Sequence, residues 1–129
     1  MMKYKKQFII TAILFMVTTV FANPVINTPD KSIVITAKKQ HTFNITLPSN
    51  PTTGYSWFLT DYNHQLLKPV NHQYVAPNNK LMGAGGFEIW TFNIQQEVPV
   101  PQKTTVTFTY QRPWETNDAK TETFTVLTQ

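Results

Sequence analysis

From Ser32 onward, apolar and polar residues alternate with a period of two, the spacing that turns one face of an extended strand toward a core. Ile33, Ile35 and Ala37 alternate with Ser32, Val34 and Thr36, and Phe43, Ile45 and Leu47 alternate with Thr42, Asn44 and Thr46. These runs predict the first two strands, joined by a short polar turn at residues 38–40. Tyr55, Trp57 and Leu59 share a face in a third strand, whereas residues 61–77 are less regular and hold at most a short edge strand around residues 72–75. Trp90, Phe92 and Ile94 mark a strong strand, Val106, Phe108 and Tyr110 another, and Phe124 and Val126 the last. Helical periodicity is not sustained anywhere after residue 22, and threonine and aromatic residues are as frequent as strands favour. About seven short strands separated by Pro, Asn and Gly turns predict an all-β fold, an immunoglobulin-like antiparallel β-sandwich. Trp57 and Trp90 read as core residues, and the prolines at 99 and 101 confine Val98 to Pro101 to a crossing or a sheet edge.

The start of the chain is of another kind. Lys3, Lys5 and Lys6 precede an apolar stretch from Phe8 to Phe21, and Val20, Phe21 and Ala22 form a small-residue cleavage site. Residues 1–22 therefore read as an export signal, leaving residues 23–129 as one domain in a periplasm or outside the cell. The competing reading, an uncleaved anchor, suffers because the apolar stretch is shorter than the about 20 residues that span a bilayer.

Without the leader, eight basic side chains face seven acidic ones, so the net charge of +4 belongs mostly to the signal. The remaining basic residues are scattered and form no stripe that would follow a phosphate backbone, which argues against a nucleic-acid partner. The chain has no cysteine, so stability rests on packing, and a thiol nucleophile, a thiolate metal site and lipid attachment at cysteine are excluded.

Chemistry of the enzymatic kind is missing. Ser32, Ser49 and Ser56 lie in no nucleophile-turn motif, and no carboxylate pair stands at a recognisable spacing. Asp61, His64 and His72 share no ligand spacing that a strand or helix would enforce, so they read as a solvated loop, with no metal or other cofactor expected.

Three short segments between strand-like runs carry what chemistry there is. In Asn50, Pro51, Thr52, Thr53, Gly54 and Tyr55, proline fixes one backbone angle, glycine permits a left-handed turn, and two threonines project short hydroxyls. Gly83, Ala84, Gly85 and Gly86 have almost no side chains, which allows another protein's backbone to approach; they precede a strand, where a phosphate loop would precede a helix. Arg112, Pro113 and Trp114 put a large apolar ring in a turn, and Arg and Trp dominate protein-interface energetics. Each segment alone also fits an ordinary turn, and Trp114 folding back to cap the sandwich competes with an exposed anchor. An adhesion or carbohydrate-binding module with Tyr55 and Trp114 as a sugar-stacking platform is the second functional reading, and an enzyme the third.

The ordered triplet Asn-Pro-Thr-Thr-Gly, Gly-x-Gly-Gly and Arg-Pro-Trp resembles the chagasin-type inhibitors of papain-like cysteine proteases, from about Ser32 to Val126. The resemblance implies reversible occlusion of a protease cleft and no enzymatic activity. Residues 50–55 would enter over the catalytic cysteine and histidine with Thr52 and Thr53 nearest the nucleophile. Residues 83–86 would flank the loop along the non-primed sites, and Trp114 would pack on the primed side with Arg112 placing its loop. A monomer is the default for such a one-ended binder. The residue after Trp114 is the acidic Glu115.

Overall fold

The computed structural model describes residues 23–27, 31–36, 39–78, 85–95 and 100–129. Within them eight strands form in chain order: β1 (Val25–Asn27), β2 (Ser32–Ile35), β3 (Thr42–Ser49), β4 (Ser56–Tyr62), β5 (Leu67–Val75), β6 (Gly86–Ile94), β7 (Gln102–Arg112) and β8 (Glu115–Thr128). They make two four-stranded sheets, one ordered β1-β3-β6-β5 and the other β2-β8-β7-β4. The pairings are antiparallel except at one side, where β1 runs parallel to β3 and β2 parallel to β8.

The predicted alternation accounts for the layering. Phe43, Ile45 and Leu47 of β3 and Phe92 and Ile94 of β6 are buried from the first sheet, and Ile35, Val106, Phe108, Phe124 and Val126 from the second. Trp57 is buried with them, while Trp90 and Tyr110 are partly buried against the same core. Phe43 stacks on Phe92 at 5.5 Å, Phe92 meets Phe108 of the opposite sheet edge-on at 6.4 Å, and Phe108 meets Phe124 at 6.0 Å. Four fully buried phenylalanines thus run from sheet to sheet in the geometries that aromatic quadrupoles favour.

Three features depart from the expectation. The first two predicted strands, β2 and β3, lie in opposite sheets, so the turn between them is a crossing. Ala37, predicted at the end of the first strand, and Lys38 of that turn lie outside the described residues, as do residues 1–22 and Val98 and Pro99. The irregular region holds the end of β4, a turn in which Asn63 Oδ1 accepts from the Gln65 and Leu66 amides, and the nine-residue β5. In β5 only Leu67 is buried, because an edge strand with an open flank needs no alternation. Pro69 is accommodated there beside a register shift, where its missing N–H costs little. Finally, β8 is fourteen residues long, and its polar first half extends the hairpin with β7 toward one end of the sandwich.

Glu122 occupies an inward parity position on β8 and is buried, yet it is ion-paired with Lys31 at 2.5 Å and Lys120 at 3.4 Å. The hydrogen bond from Lys31 is the main reason its carboxyl is held below the usual carboxylate range; burial opposes this and Lys120 assists. A depressed folded-state value means that the pair's stabilisation is present above the ordinary carboxylate pKa and is lost as pH falls through the lowered value. Glu122→Gln is therefore expected to cost about 1 kcal/mol at neutral pH, the half-exposed Lys31 limiting the loss. The thermal-melting gap between variant and native should narrow as pH falls below the usual carboxylate range. A gap of constant size across that range would show that the ion pair is not the source.

Candidate functional site

The connection from β3 to β4 crosses from the first sheet to the second at one end of the sandwich. Its middle, Pro51–Thr53, is a single 3₁₀ turn with proline at its start, where no amide hydrogen is required. The Thr53 amide donates to the Asn50 carbonyl at 3.2 Å and the Gly54 amide to the Pro51 carbonyl at 3.1 Å. Gly54 closes the turn with φ +81°, a left-handed conformation that a residue with a Cβ adopts at a cost. The threonine hydroxyls do not project freely. Thr52 Oγ1 donates to Asn50 Oδ1 at 2.6 Å and Thr53 Oγ1 to the Asn50 carbonyl at 2.7 Å, although residues 51–53 are exposed. Their hydrogen-bonding capacity goes first into ordering the loop.

The ends of this loop are tied to the sheet opposite the one each belongs to. At the entrance, the Asn50 amide donates to the Tyr110 hydroxyl of β7 at 3.1 Å, and the Trp57 indole Nε1 donates to the Pro48 carbonyl at 2.8 Å. At the exit, the Trp57 amide donates to Glu88 Oε2 of β6 at 3.4 Å. The other Glu88 oxygen lies 2.7 Å from His72 Nε2, whose ring stacks on Trp90 at 4.1 Å.

The hairpin turn of Pro113 and Trp114 stands beside the same loop. Arg112 Nε donates to the Thr53 carbonyl at 3.0 Å, its Nη1 donates to Glu115 Oε2 at 3.2 Å, and its guanidinium lies 4.7 Å from the centre of the Tyr55 ring. Tyr55 stacks on Tyr110 at 5.2 Å as well. No non-glycine residue described has positive φ, so Pro113 and Trp114 do not form the mirror-image turn that two-residue hairpins favour. The register between β7 and β8 shifts just before it. Trp114 is 74% exposed and does not cap the sandwich. The edge of its ring lies against Gly54, where a Cβ would come within 3.1 Å of Cη2.

Of the glycine segment, Gly83 and Ala84 lie outside the described residues. Gly85 sits beside Ser49 and Asn50 at the entrance of the central loop. Gly86 is buried at the start of β6, paired with Ser49, and a Cβ there would collide with the Val75 carbonyl and approach the Tyr74 hydroxyl to 2.7 Å. Close packing against β5 is thus the reason for glycine at this position. The described parts of all three segments meet at one surface: Gly85 against Asn50, Arg112 on Thr53, and Trp114 over Gly54.

Three positions outside the segments matter more than their sequence context suggested. Tyr110 and Glu88 share the inward parity of Phe108 and of Trp90, and a charged residue at core parity was the available signal for Glu88. His72 and Asp61 belong to strands β5 and β4 rather than to a solvated loop, and His64 stacks near Tyr62 at 3.9 Å. Among the described residues no three His, Asp or Glu side chains are grouped to hold a metal ion. Tyr55, engaged by Tyr110 and Arg112, does not offer a free ring for a sugar platform.

Comparison with known proteins bears on the family and the fold. The family model described as chagasin family peptidase inhibitor I42 matches residues 36–127. The chain is 36% identical over 86 residues to chagasin of Trypanosoma cruzi, an overlap covering 64% of this chain and 74% of that protein. In three dimensions it is similar to the cysteine protease inhibitor EhICP2 of Entamoeba histolytica, with a TM-score of 0.64 and 18% identity over 82% of this chain and 94% of that one. It is also similar to the solution structure of amebosin, with a TM-score of 0.62 and 24% identity over 84% of this chain and all of that one. At these identities the structural likeness speaks for the fold, and the family match and the sequence relative identify the chain: it belongs to the chagasin family of peptidase inhibitors.

Proposed function

We propose that this protein is an exported, monomeric, reversible inhibitor of papain-like cysteine proteases that blocks the substrate cleft with residues 50–55, 83–86 and 112–114. The observation that carries the reading is the pairing of a highly exposed Trp114 with a central loop already closed by its own hydrogen bonds. A surface ring that large is unfavourable in isolation and fits a partner's apolar wall. A loop ordered before docking loses little conformational entropy on binding, so affinity requires no covalent bond. Membership of the family and the relative described as a cysteine protease inhibitor support the target class.

In this mechanism the 3₁₀ turn enters the cleft above the catalytic cysteine and histidine. Thr52 and Thr53 come nearest the nucleophile, and the turn presents a bent backbone in place of an extended peptide bond aligned for attack. Residues 83–86 and Trp114 flank the turn on its two sides, and the three together fit a standard interface of about 800 Å² per partner. Arg112, neutralised by Glu115 and bonded to Thr53, holds the tryptophan turn and the central loop in one frame. The basic start and apolar stretch of residues 1–22 support export, with Asn23 as the first residue of the mature protein.

Titration of the purified protein into papain should abolish activity at a one-to-one ratio, leave a serine protease untouched, and return inhibitor of unchanged mass after prolonged incubation. Trp114→Ala should raise the inhibition constant by about 30-fold, or about 2 kcal/mol, with the melting temperature unchanged. Gly54→Ala should weaken inhibition by about tenfold, since the new Cβ both strains a left-handed residue and presses on the Trp114 ring. Mass spectrometry of the protein recovered after export should find Asn23 at the amino terminus; a chain retaining residues 1–22 would overturn the export reading.

A further inference from the structure

Glu88 is only 5% exposed, lies on the inner side of the sandwich, and belongs to none of the three segments. Burying a carboxylate is costly unless its oxygens are satisfied, so the partners of this one indicate what it secures. One oxygen takes the Trp57 amide of β4 and the other takes His72 of β5. Strands β4 and β5 are the edges of the two sheets on the same side of the sandwich, and no third strand joins them among the described residues. Glu88 therefore spans the open flank between two unpaired edges.

The place of that span is what connects it to the site. Trp57 is two residues past Tyr55, where the central loop enters the second sheet, and Glu88 is two residues past Gly86, where the glycine segment enters the first. The entrance of the central loop is held to the second sheet through Tyr110, and its exit is held to the first sheet through Glu88. Removing the exit tie leaves the β4 backbone at Trp57 held to the first sheet only through its indole on the Pro48 carbonyl, so that it can shift against β6 where the loop departs. The internal hydrogen bonds of the turn would survive that movement; its height relative to Gly85 and Gly86 would not.

We propose that Glu88, oriented by His72, is a positioning residue for inhibition that fixes the central loop against Gly85 and Gly86. The proposal rests on the three-loop reading given above. His72 completes the support: its ring is stacked on Trp90, and its Nε2 holds the Glu88 oxygen that does not face Trp57.

Three substitutions test it in the purified protein with papain as target. Glu88→Leu removes the acceptor at similar volume, Glu88→Asp keeps the charge but is one methylene too short to reach both partners, and Glu88→Gln keeps an acceptor oxygen for the Trp57 amide. Leu and Asp should raise the inhibition constant by about tenfold, and Gln should stay within about threefold of native. Amide hydrogen exchange in the free protein gives a readout that general destabilisation would not produce. Exchange at Trp57 should accelerate in the Leu and Asp variants while Phe108 and Phe124 remain protected.

If Glu88→Leu does not fold, Glu88→Asp decides. Native inhibition by a folded Leu or Asp variant overturns the proposal, as does equal weakening by Gln and Leu or exchange that accelerates uniformly through the core. Trp114→Ala serves as the independent control: if it weakens inhibition while the Glu88 variants do not, only the positioning role falls. If none of the variants changes inhibition, the three-loop reading falls with it.

Discussion

The edge-on contact of Phe92 with Phe108 across the gap between the sheets is the constraint on which the rest depends. Residues 50–55, 85–86 and 112–114 lie at strand ends, and their positions mean nothing unless the sheets are fixed relative to each other. With Phe43 behind Phe92 and Phe124 behind Phe108, four buried rings set the separation and offset of the two layers without a disulfide. Rings of this size bury large apolar area and tolerate few alternative packings, so the layers hold one arrangement. The loop ends inherit that arrangement.

On that frame the proposed binding surface is assembled by ties that cross between sheets. The central loop leaves β3 and joins β4, and each of its ends is bonded to the opposite layer, through Tyr110 at one side and Glu88 at the other. Arg112 adds a third tie from the β7–β8 hairpin to the top of the loop. The polar groups used are a tyrosine hydroxyl, a buried carboxylate and a guanidinium, each replacing a water that the loop backbone would otherwise bind. Such a surface is rigid because its hydrogen bonds are already made, which is the property that the proposed reversible inhibition requires of it.

Much of this was legible in advance, and the reason differs from part to part. The strands with one buried face, β3, β6, β7 and β8, announced themselves because burial on one side enforces a period of two. The edge strand β5 was indicated only as a short stretch around residues 72–75, because only Leu67 of its nine residues is buried and an open flank imposes no pattern. The three segments stood out by residue type, since proline, glycine and an unneeded tryptophan are conspicuous between strands. Their roles were less visible: the threonines of the central loop bond inward, and Gly86 is required by the Val75 carbonyl of its own fold. Glu88 was passed over, and the partners of Tyr110 and His72 were not visible, because alternation assigns a residue to a face and says nothing of its partner.

The sequence by itself determined the all-β class, the inward residues of the central strands, the absence of thiol chemistry and the three segments that differ from ordinary turns. These are local properties, set by periodicity and by the backbone limits of proline and glycine, and they need no knowledge of what lies opposite. Only the tertiary structure decided that β2 and β3 belong to different sheets, that Trp114 stays exposed over Gly54, and that Glu88 joins two open edges. Each of these depends on which distant residues become neighbours once the sheets close over their phenylalanines, and the one-dimensional pattern does not contain that distance.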